Sequence, residues 1–211
     1  MLAFGGRLTT RTRPDGSLGV YEANISLFDA LRGTVDGEDS HQVDRFLVAQ
    51  GVMMALAGVP AFYYNTLLAA PNDYEGLEQT GRYRSINRKK WTLSEVESRL
   101  SDPEGSPSRV FMVIRELLAL RREHAAFHPE ASQRCLLVDE RAFVVGRGSD
   151  ADSSQFICVF NLSGEDLELS SASLSLEASA SLKPRFSRGV DLDGPDTIRC
   201  APYGMGWLEV V

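Results

Sequence analysis

The stretch GVPAFYY, residues 58–64, joins a helical pattern to a short run that favours β-structure. Before it, apolar residues recur with helical spacing over residues 40–57, and Ser40 supplies an N-cap. The glycine and the proline of the stretch are residues that end helices, and Ala61–Tyr64 is rich in aromatic side chains. The pattern therefore predicts a helix, a turn and a buried strand.

Around this centre, glycine-rich segments alternate with helical ones. Residues 1–23 are predicted to be irregular, and residues 65–90 are predicted to form a second, longer loop. Loops of that length within a compact domain are usually functional or disordered. Thr92 followed by Glu95 predicts a capping box at the start of a short helix, and a longer helix is expected over residues 106–124.

The remainder of the chain, residues 129–211, has residue patterns that are typical of strands. Residues 170–181 are half serine, which is typical of a linker, but alanine and leucine alternate strictly there and favour one or two strands. We therefore expect an antiparallel β-module over residues 129–211. Its other predicted strands are residues 134–138, 141–147, 155–161, 197–200 and 206–210.

Composition excludes several classes of function. With 22 Lys and Arg against 29 Asp and Glu among 211 residues, the net charge of −7 argues against a nucleic-acid surface. No apolar run reaches the roughly 18–20 residues of a membrane span, and the first 14 residues lack a signal-peptide segment. The three cysteines are widely spaced, as expected in a reducing compartment. A cytoplasmic protein without nucleic-acid or membrane partners is predicted.

A basic cluster over residues 81–90 carries five cations and no acid. Arginines on a loop have the rigid donor fork that grips sugar hydroxyls or phosphate. The alternative is a solvated surface loop with one or two structural ion pairs, for which Asp73, Glu75 and Glu78 are the nearest acids. Composition by itself favours the surface loop.

Tyr21 and Glu22 form a second candidate site. A tyrosine and a carboxylate on one loop can line a sugar pocket through stacking and hydrogen bonds. The alternative, favoured by the residues alone, is a packed tyrosine beside an exposed glutamate. His41, His124 and His128 lack partners at metal-ligand spacing, and no phosphate-cradling loop or dinucleotide fingerprint occurs, so no metal or cofactor is expected.

Four segments occur in an order that resembles one known group of enzymes: Tyr21–Leu31, Gly58–Tyr64, Arg84–Arg88 and Ala126–Pro129. Together they resemble the C-terminal part of the sucrose phosphorylase group within the α-amylase superfamily (glycoside hydrolase family 13). The resemblance implies an α/β plus all-β fold: the C-terminal part of a (β/α)8 TIM barrel followed by a small antiparallel β-sandwich domain. Residues 1–128 would supply the loop after strand 7, helix 7, strand 8 and helix 8, and residues 129–211 the β-domain.

The resemblance also implies a chemistry. Enzymes of this group resemble retaining glycosidases in which phosphate replaces water, so that a carboxylate nucleophile, a carboxylic acid and a third Asp act on an α-glucoside to give glucose 1-phosphate. This sequence contains neither the Arg-x-Asp-Ala segment nor the His-Asp pair of the family. We therefore expect a fragment that is inactive alone, has no catalytic residues of its own, and needs the N-terminal part of the barrel as its partner.

Five positions match family motifs. The resemblance implies that Arg84 contacts glucose in the donor subsite and that Tyr21 belongs to a mobile loop that admits phosphate or acceptor. Glu22 matches a position that is Gln in sucrose phosphorylase itself, and a carboxylate there repels phosphate, which favours a sister activity. Asn87 and Arg88 are assigned to positioning the loop.

The expected function is therefore that of a C-terminal fragment of a retaining α-glucoside phosphorylase. Its candidate substrates are sucrose, sucrose 6-phosphate, glucosylglycerol or glucosylglycerate, each with inorganic phosphate. The alternative is a non-catalytic carbohydrate-binding or structural module derived from that family. An eighth barrel strand without its neighbours leaves open edges, so the isolated chain is expected to be marginally stable.

Overall fold

The computed structural model describes residues 2–148, 155–174, 176 and 179–211, which fall into two compact units. Unit 1 comprises Met1–Phe46 and Phe62–Met112, and unit 2 comprises Leu47–Ala61 and Val113–Val211. The predicted division into a barrel part and a β-part at residue 128 stays a prediction. Up to that residue the strands and helices are β1 (Arg7–Thr12), β2 (Leu18–Asn24), α1 (Leu27–Ala30), β3 (Gly33–Thr34), β4 (Gly37–Glu38), α2 (Gln42–Ala55), α3 (Tyr64–Leu67), α4 (Tyr74–Thr80), α5 (Leu93–Ser101) and α6 (Ser106–Glu123).

Three of the predicted helices are confirmed. The two runs of apolar residues at helical spacing form α2 and α6. The bounds of both helices lie within two residues of the predicted ones. The capping box of α5 is present, because the Thr92 hydroxyl accepts from the Glu95 amide while the Glu95 carboxylate accepts from the Thr92 amide. Helix starts of this kind are encoded within a few residues of sequence.

The prediction of an irregular stretch over residues 1–23 is wrong, because β1 and β2 form an antiparallel hairpin there. The Arg13 amide donates to the Ser17 carbonyl at 2.8 Å and closes the turn. Gly16, at φ +82, occupies the left-handed conformation that the turn needs. Most of the hairpin's side chains are exposed, so it lacks the apolar face by which strands are recognised in a sequence.

The predicted strand over Ala61–Tyr64 is also wrong. Tyr63 is extended (φ −74, ψ 134), but a helical turn begins at Tyr64, and within the described residues no strand pairs with this run. The run forms a side-chain hydrogen bond to another segment instead, because the Tyr64 hydroxyl donates to the Lys89 carbonyl. A β-favouring run becomes a strand only beside a partner that takes its backbone hydrogen bonds.

The predicted long loop over residues 65–90 contains regular structure. It holds α3 and α4, and a 3₁₀ turn over Tyr83–Asn87. Asp73 caps α4 by accepting from the Gly76 amide at 3.1 Å, and Gly81 ends it at φ +63. The helices are four and seven residues long, too short to show an amphipathic period.

The β-module forms one six-stranded antiparallel sheet. Strand β10 is central: β9 pairs along one side of it, while β8 and then β7 pair along the other. Residues 197–200 and 206–210 are therefore parts of one strand. The strands are β5 (Gln133–Leu136), β6 (Ala142–Arg147), β7 (Phe156–Asn161), β8 (Leu167–Ser170), β9 (Leu182–Asp193) and β10 (Thr197–Val210).

The expected strand over residues 170–181 is wrong where the structure describes it. Ser171–Leu174 forms a 3₁₀ turn, and β9 begins only at Leu182. Leu174 is buried all the same. The prediction also covers residues 175, 177 and 178, which lie outside the described residues.

Unit 2 contains a dense apolar core. Trp207 is fully buried and stacks on Phe127 with ring centroids 4.5 Å apart, and Phe156 lies 5.0 Å from Phe127. The His124 ring packs against Phe156 with ring centroids 4.7 Å apart. A second group of buried aliphatic side chains from β6 to β10 continues the core. No helix in the described part of the chain is both long and apolar enough to cross a bilayer.

Candidate functional site: a cleft between a β-bulge and a basic turn

A β-bulge in unit 1 presents Tyr21. Thr9 pairs with Glu22 and Thr10 pairs with Val20, so Tyr21 is the extra residue between two paired positions of β2. A bulge redirects the side chain it carries, and bulges are frequent beside binding sites. Tyr21 is exposed, and the Arg11 guanidinium lies 5.2 Å from its ring centroid. The bulge therefore displays an aromatic face next to the Glu22 carboxylate.

The 3₁₀ turn over residues 83–87 carries Arg84 and is anchored from beneath. Its Ile86 side chain is fully buried, and the Ile86 carbonyl accepts from the Asp73 amide at 2.7 Å. The Ser85 and Thr80 hydroxyls share a hydrogen bond of 2.6 Å, which ties the turn to α4. The backbone that holds Arg84 is fixed by contacts that do not involve the arginine itself.

A further clamp holds the end of this basic segment. The Asn65 side chain donates to the Lys89 carbonyl at 3.1 Å and accepts from the Trp91 indole N–H at 2.6 Å. Asn65 is buried at the start of α3, directly after the GVPAFYY stretch. Tyr64, the last residue of the predicted strand, also donates its hydroxyl to the Lys89 carbonyl, so residues at and just after the end of the stretch hold the basic segment.

These two supports bring Arg84 to Glu22 across 62 residues of sequence. Arg84 Nε donates to Glu22 Oε2 at 2.8 Å. The hydrogen bond from Arg84 to Glu22 and the charge of that carboxylate raise the pKa of the Arg84 guanidinium. The pair borders a cleft of about 550 Å³, which is lined by Thr9, Tyr21, Glu22, Gly81, Arg82, Tyr83, Arg84, Ser85 and Arg88.

A buried polar hub sets the spacing between the two sides of the cleft. The Asn72 side chain accepts from the Ser26 amide at 2.8 Å and donates to the Phe4 carbonyl at 3.2 Å. Its backbone amide donates to the Asp29 carboxylate at 2.7 Å, and Arg32 Nη2 meets the same carboxylate at 2.6 Å. Asp29 is 2% exposed. The hub joins the segment after β2 to the segment that bears the basic turn.

Four of the five predicted site residues line this one cleft, and Asn87 does not. Its side chain donates to the Ile25 carbonyl at 3.5 Å, beside a separate cavity of about 230 Å³. Of the ion pairs weighed for the basic cluster, Lys89 with Asp73 is present at 4.0 Å. Arg84 pairs with Glu22 instead, which the surface-loop interpretation did not include. The roles assigned to these five residues stay predictions.

Sequence reasoning missed several members of the site. Arg82 and Ser85 lay within the basic cluster but were given no role, and Thr9 lay in the stretch predicted to be irregular. The Pro14-Asp15-Gly16 signal marks a hairpin turn and could have revealed Thr9 as a strand residue opposite β2. Nothing local identifies Asn72 as a hub, because its partner Asp29 is 43 residues away.

The described residues contain no group of three His, Cys, Asp or Glu side chains that could hold a metal ion. The chemistry available in the cleft is that of guanidinium, hydroxyl and carboxylate groups. Such groups bind sugars and anions through directed hydrogen bonds.

Comparison with known proteins places the chain in a family. It is 38% identical over 152 residues to glucosylglycerate phosphorylase of Allomeiothermus silvanus, a match that covers 71% of this chain and 27% of the relative. The Escherichia coli glucosylglycerate phosphorylase is 32% identical, over 75% of this chain and 28% of the relative. The chain belongs to the sucrose phosphorylase group. It spans little more than a quarter of these relatives and fits their C-terminal portion.

Solved structures of glycoside hydrolase family 13 enzymes share the fold of this group member. Sucrose 6F-phosphate phosphorylase from Thermoanaerobacter thermosaccharolyticum matches with a TM-score of 0.56 and 22% identity, over 75% of this chain and 29% of that one. A trehalulose synthase variant matches with a TM-score of 0.59 and 15% identity, over 83% and 40%. The predicted fold class, the end of a (β/α)8 barrel followed by an antiparallel β-domain, is confirmed. No protein-family profile matches the chain.

Proposed function

We propose that this chain forms part of the substrate cleft of a retaining α-glucoside phosphorylase whose substrate is glucosylglycerate. The three relatives that align over 71–75% of the chain are all named glucosylglycerate phosphorylase. In such a reaction a carboxylate takes the glucosyl unit, a carboxylic acid protonates the departing glycerate oxygen, and phosphate oxygen then attacks the glucosyl carbon to release the carboxylate. The family motifs for these carboxylates are not in this sequence, and the proposal assigns them to the rest of the barrel.

One observation carries the proposal: Tyr21, Glu22 and Arg84 meet in one cleft although 62 residues separate the last two. The resemblance to the sucrose phosphorylase group, which rests on sequence motifs, points to the same three side chains. Together they offer an aromatic face, a hydrogen-bond acceptor and a fork of donors, which is the set that a glucose ring with several hydroxyls uses.

Exposed apolar side chains on the hairpin support the proposed partner. Leu18 and Val20 on β2 are 71% and 62% exposed, close to the bulge at Tyr21. We propose that the N-terminal part of the barrel, with residues 1–128 as its C-terminal portion, covers them. Apolar surface beside a binding cleft is typical of an interface.

A chimeric enzyme tests the function directly. This chain replaces the matched part of the Allomeiothermus silvanus relative, and glucose 1-phosphate is measured with glucosylglycerate and phosphate as substrates. We expect turnover by the chimera and none by the chain alone. The variant Arg84→Ala should lower kcat/KM, while Arg122→Ala, which removes an exposed arginine outside the cleft, should not.

Two outcomes would contradict the proposal. A folded chimera without phosphorolysis would remove the assignment to glucosylglycerate, and turnover by the isolated chain would show that its own residues supply the carboxylates. If the isolated chain bound glucosylglycerate while the folded chimera stayed inactive, the alternative of a non-catalytic carbohydrate-binding module would be favoured.

A further inference from the structure

The charges that line the cleft do not cancel. Three guanidinium groups face it, those of Arg82, Arg84 and Arg88, but among the described residues that line it Glu22 alone carries a carboxylate. Glu22 is already bound to Arg84 at 2.8 Å, so this pair is neutral as a unit. Within the described part of the chain, no carboxylate lies within 4.0 Å of the Arg82 or Arg88 guanidinium. Two positive charges therefore remain at the cleft.

These two arginines also border a second cavity. Arg82, Ser85 and Arg88 line both the cleft and a neighbouring space of about 760 Å³, in which Lys89 and Lys90 add further positive charge. Three carboxylates face that space as well, and each is engaged locally. Glu95 caps α5, Glu75 accepts from Gln79 at 3.0 Å, and Asp73 accepts from Gly76 and lies 4.0 Å from Lys89.

The backbone that carries the two arginines is already ordered. The Arg82 amide donates to the Thr80 hydroxyl at 3.3 Å, and the Arg88 amide donates to the Ser85 carbonyl at 3.0 Å. The two arginines flank the turn whose Ile86 side chain is buried. Because the backbone is preorganised, a ligand has to order only the two side chains, which lowers the entropic cost of binding.

We propose that Arg82 and Arg88, with the Ser85 hydroxyl between them, form a binding site for a small oxyanion that is separate from the Glu22–Arg84 pair. Guanidinium groups donate pairs of parallel N–H bonds that match the oxygens of phosphate or of a carboxylate. Glu22 then has a definite role in the cleft. It neutralises Arg84 so that this pair meets the uncharged sugar, and the anion binds Arg82 and Arg88.

This inference depends on the proposed function only for the identity of the compound that supplies the anion. In phosphorolysis of glucosylglycerate it would be either the attacking phosphate or the carboxylate of glycerate. Both present two or more acceptor oxygens and a negative charge, so the same pair of arginines suits either. Binding itself is a property of this chain and can be measured without turnover.

Calorimetric titration of the full chain at low ionic strength, with inorganic phosphate and with D-glycerate as separate probes, tests the site. We expect Arg82→Gln and Arg88→Gln each to weaken binding by about tenfold, the loss of one charge-assisted hydrogen bond, and the double variant to abolish it. Removal of the whole neutral pair in Glu22→Gln/Arg84→Gln should leave binding intact. Arg122→Gln is the matched control, and circular dichroism checks that every variant is folded.

Each outcome decides the matter. Binding of phosphate, of glycerate or of both that is lost in Arg82→Gln/Arg88→Gln supports the site and identifies the source of the oxyanion. The site is disproved if neither probe binds, or if binding survives Arg82→Gln/Arg88→Gln. Phosphorolysis by a chimera that carries Arg82→Gln/Arg88→Gln at an unchanged KM for phosphate and for glucosylglycerate would remove this site while leaving the proposed function in place.

Discussion

The buried contacts described above differ between the two units. In unit 1, buried polar side chains connect the segments around the cleft, beside apolar contacts such as that of Phe28 with Phe46. The polar ones are Asn24, Ser26, Asp29, Asn65 and Asn72. In unit 2, the aromatic stack and the aliphatic cluster of the sheet form an apolar core. Hydrogen bonds between distant segments occur in both units, since the Arg121 guanidinium of unit 2 donates to the Leu56 and Gly58 carbonyls, but those of unit 1 lie beside the cleft.

The difference indicates a division of tasks. Apolar burial stabilises without much demand on direction, whereas a hydrogen bond weakens steeply when its geometry is lost. A cleft whose members come from β2 and from a turn 62 residues later needs the second kind of contact. We infer that the buried hydrogen bonds of unit 1 serve to place the side chains of the cleft.

The largest expected effect is in the core of unit 2. Trp207→Ala removes a fully buried ring that stacks on Phe127, and losses of large aromatic side chains cost about 3–5 kcal/mol. Urea denaturation should show a correspondingly lower midpoint. Leu137→Ala, at a fully exposed position, is the control and should leave the midpoint unchanged. Equal shifts of the urea midpoint in the two variants would contradict the role of the apolar core in unit 2.

Ionisation of the Cys200 thiol in the same core should also lower the stability of the folded chain. Burial raises the pKa of Cys200 from 9.0 to about 11. The thiol then stays protonated in the folded chain while it ionises in the unfolded chain, so the stability is unaffected below pH 9 and falls as pH rises toward 11, by about 2–3 kcal/mol in total.

The pH dependence is measured by urea unfolding at a series of alkaline pH values. The fall in stability should be smaller in Cys200→Ala than in the unchanged protein, whereas Cys135→Ala, which removes an exposed thiol, should keep the full fall. An identical slope in all three proteins would show that the core of unit 2 accommodates a charge at this position.

In unit 1 the polar hub is the vulnerable point. Asn72→Ala leaves the Ser26 amide without its acceptor, and an unsatisfied buried group costs about 1–3 kcal/mol. Hydrogen exchange at the Ser26 amide should accelerate. Gln79→Ala, which removes an exposed amide on α4, serves as the control. Retention of slow exchange at Ser26 in Asn72→Ala would mean that other contacts set the spacing of the cleft.

The smallest effect is expected at a helix start in unit 1. Thr92→Ala removes one half of the capping box of α5 and should cost about 1 kcal/mol. Ser94→Ala, two residues further along the same helix and exposed, should be nearly neutral. Thermal unfolding of the two variants separates the cap from the general effect of removing a hydroxyl. A loss at Ser94 as large as that at Thr92 would refute the capping role.

The sequence predicted what is encoded over short distances. The long helices and the capping box depend on residues within one or two turns of one another, and their bounds were predicted closely. The run at Ala61–Tyr64 was misjudged because a strand depends on a partner elsewhere in the chain. The hairpin of β1 and β2 was missed because exposed threonines and arginines carry no apolar alternation.

The candidate site also has parts that the sequence predicted and parts that it did not. Tyr21, Glu22 and Arg84 were selected by resemblance, and their meeting in one cleft agrees with that choice. Neither the bulge at Tyr21 nor the hub at Asn72 follows from local patterns. A bulge is defined by the register of two strands, and the hub by a carboxylate and backbone groups that lie 43 and more residues away. Physical contacts of this kind become visible only in three dimensions.

The central place of β10 has a consequence for synthesis. Strands β7, β8 and β9 all pair with Thr197–Val210, which follows them in the chain. The ribosome therefore synthesises β5 to β9 before β10, the strand with which β7, β8 and β9 all pair. Until then β7, whose six residues are all buried in the finished sheet, presents an open edge to the cell. Slow translation of the codons for Thr197–Val210 should thus favour capture of the nascent chain by chaperones.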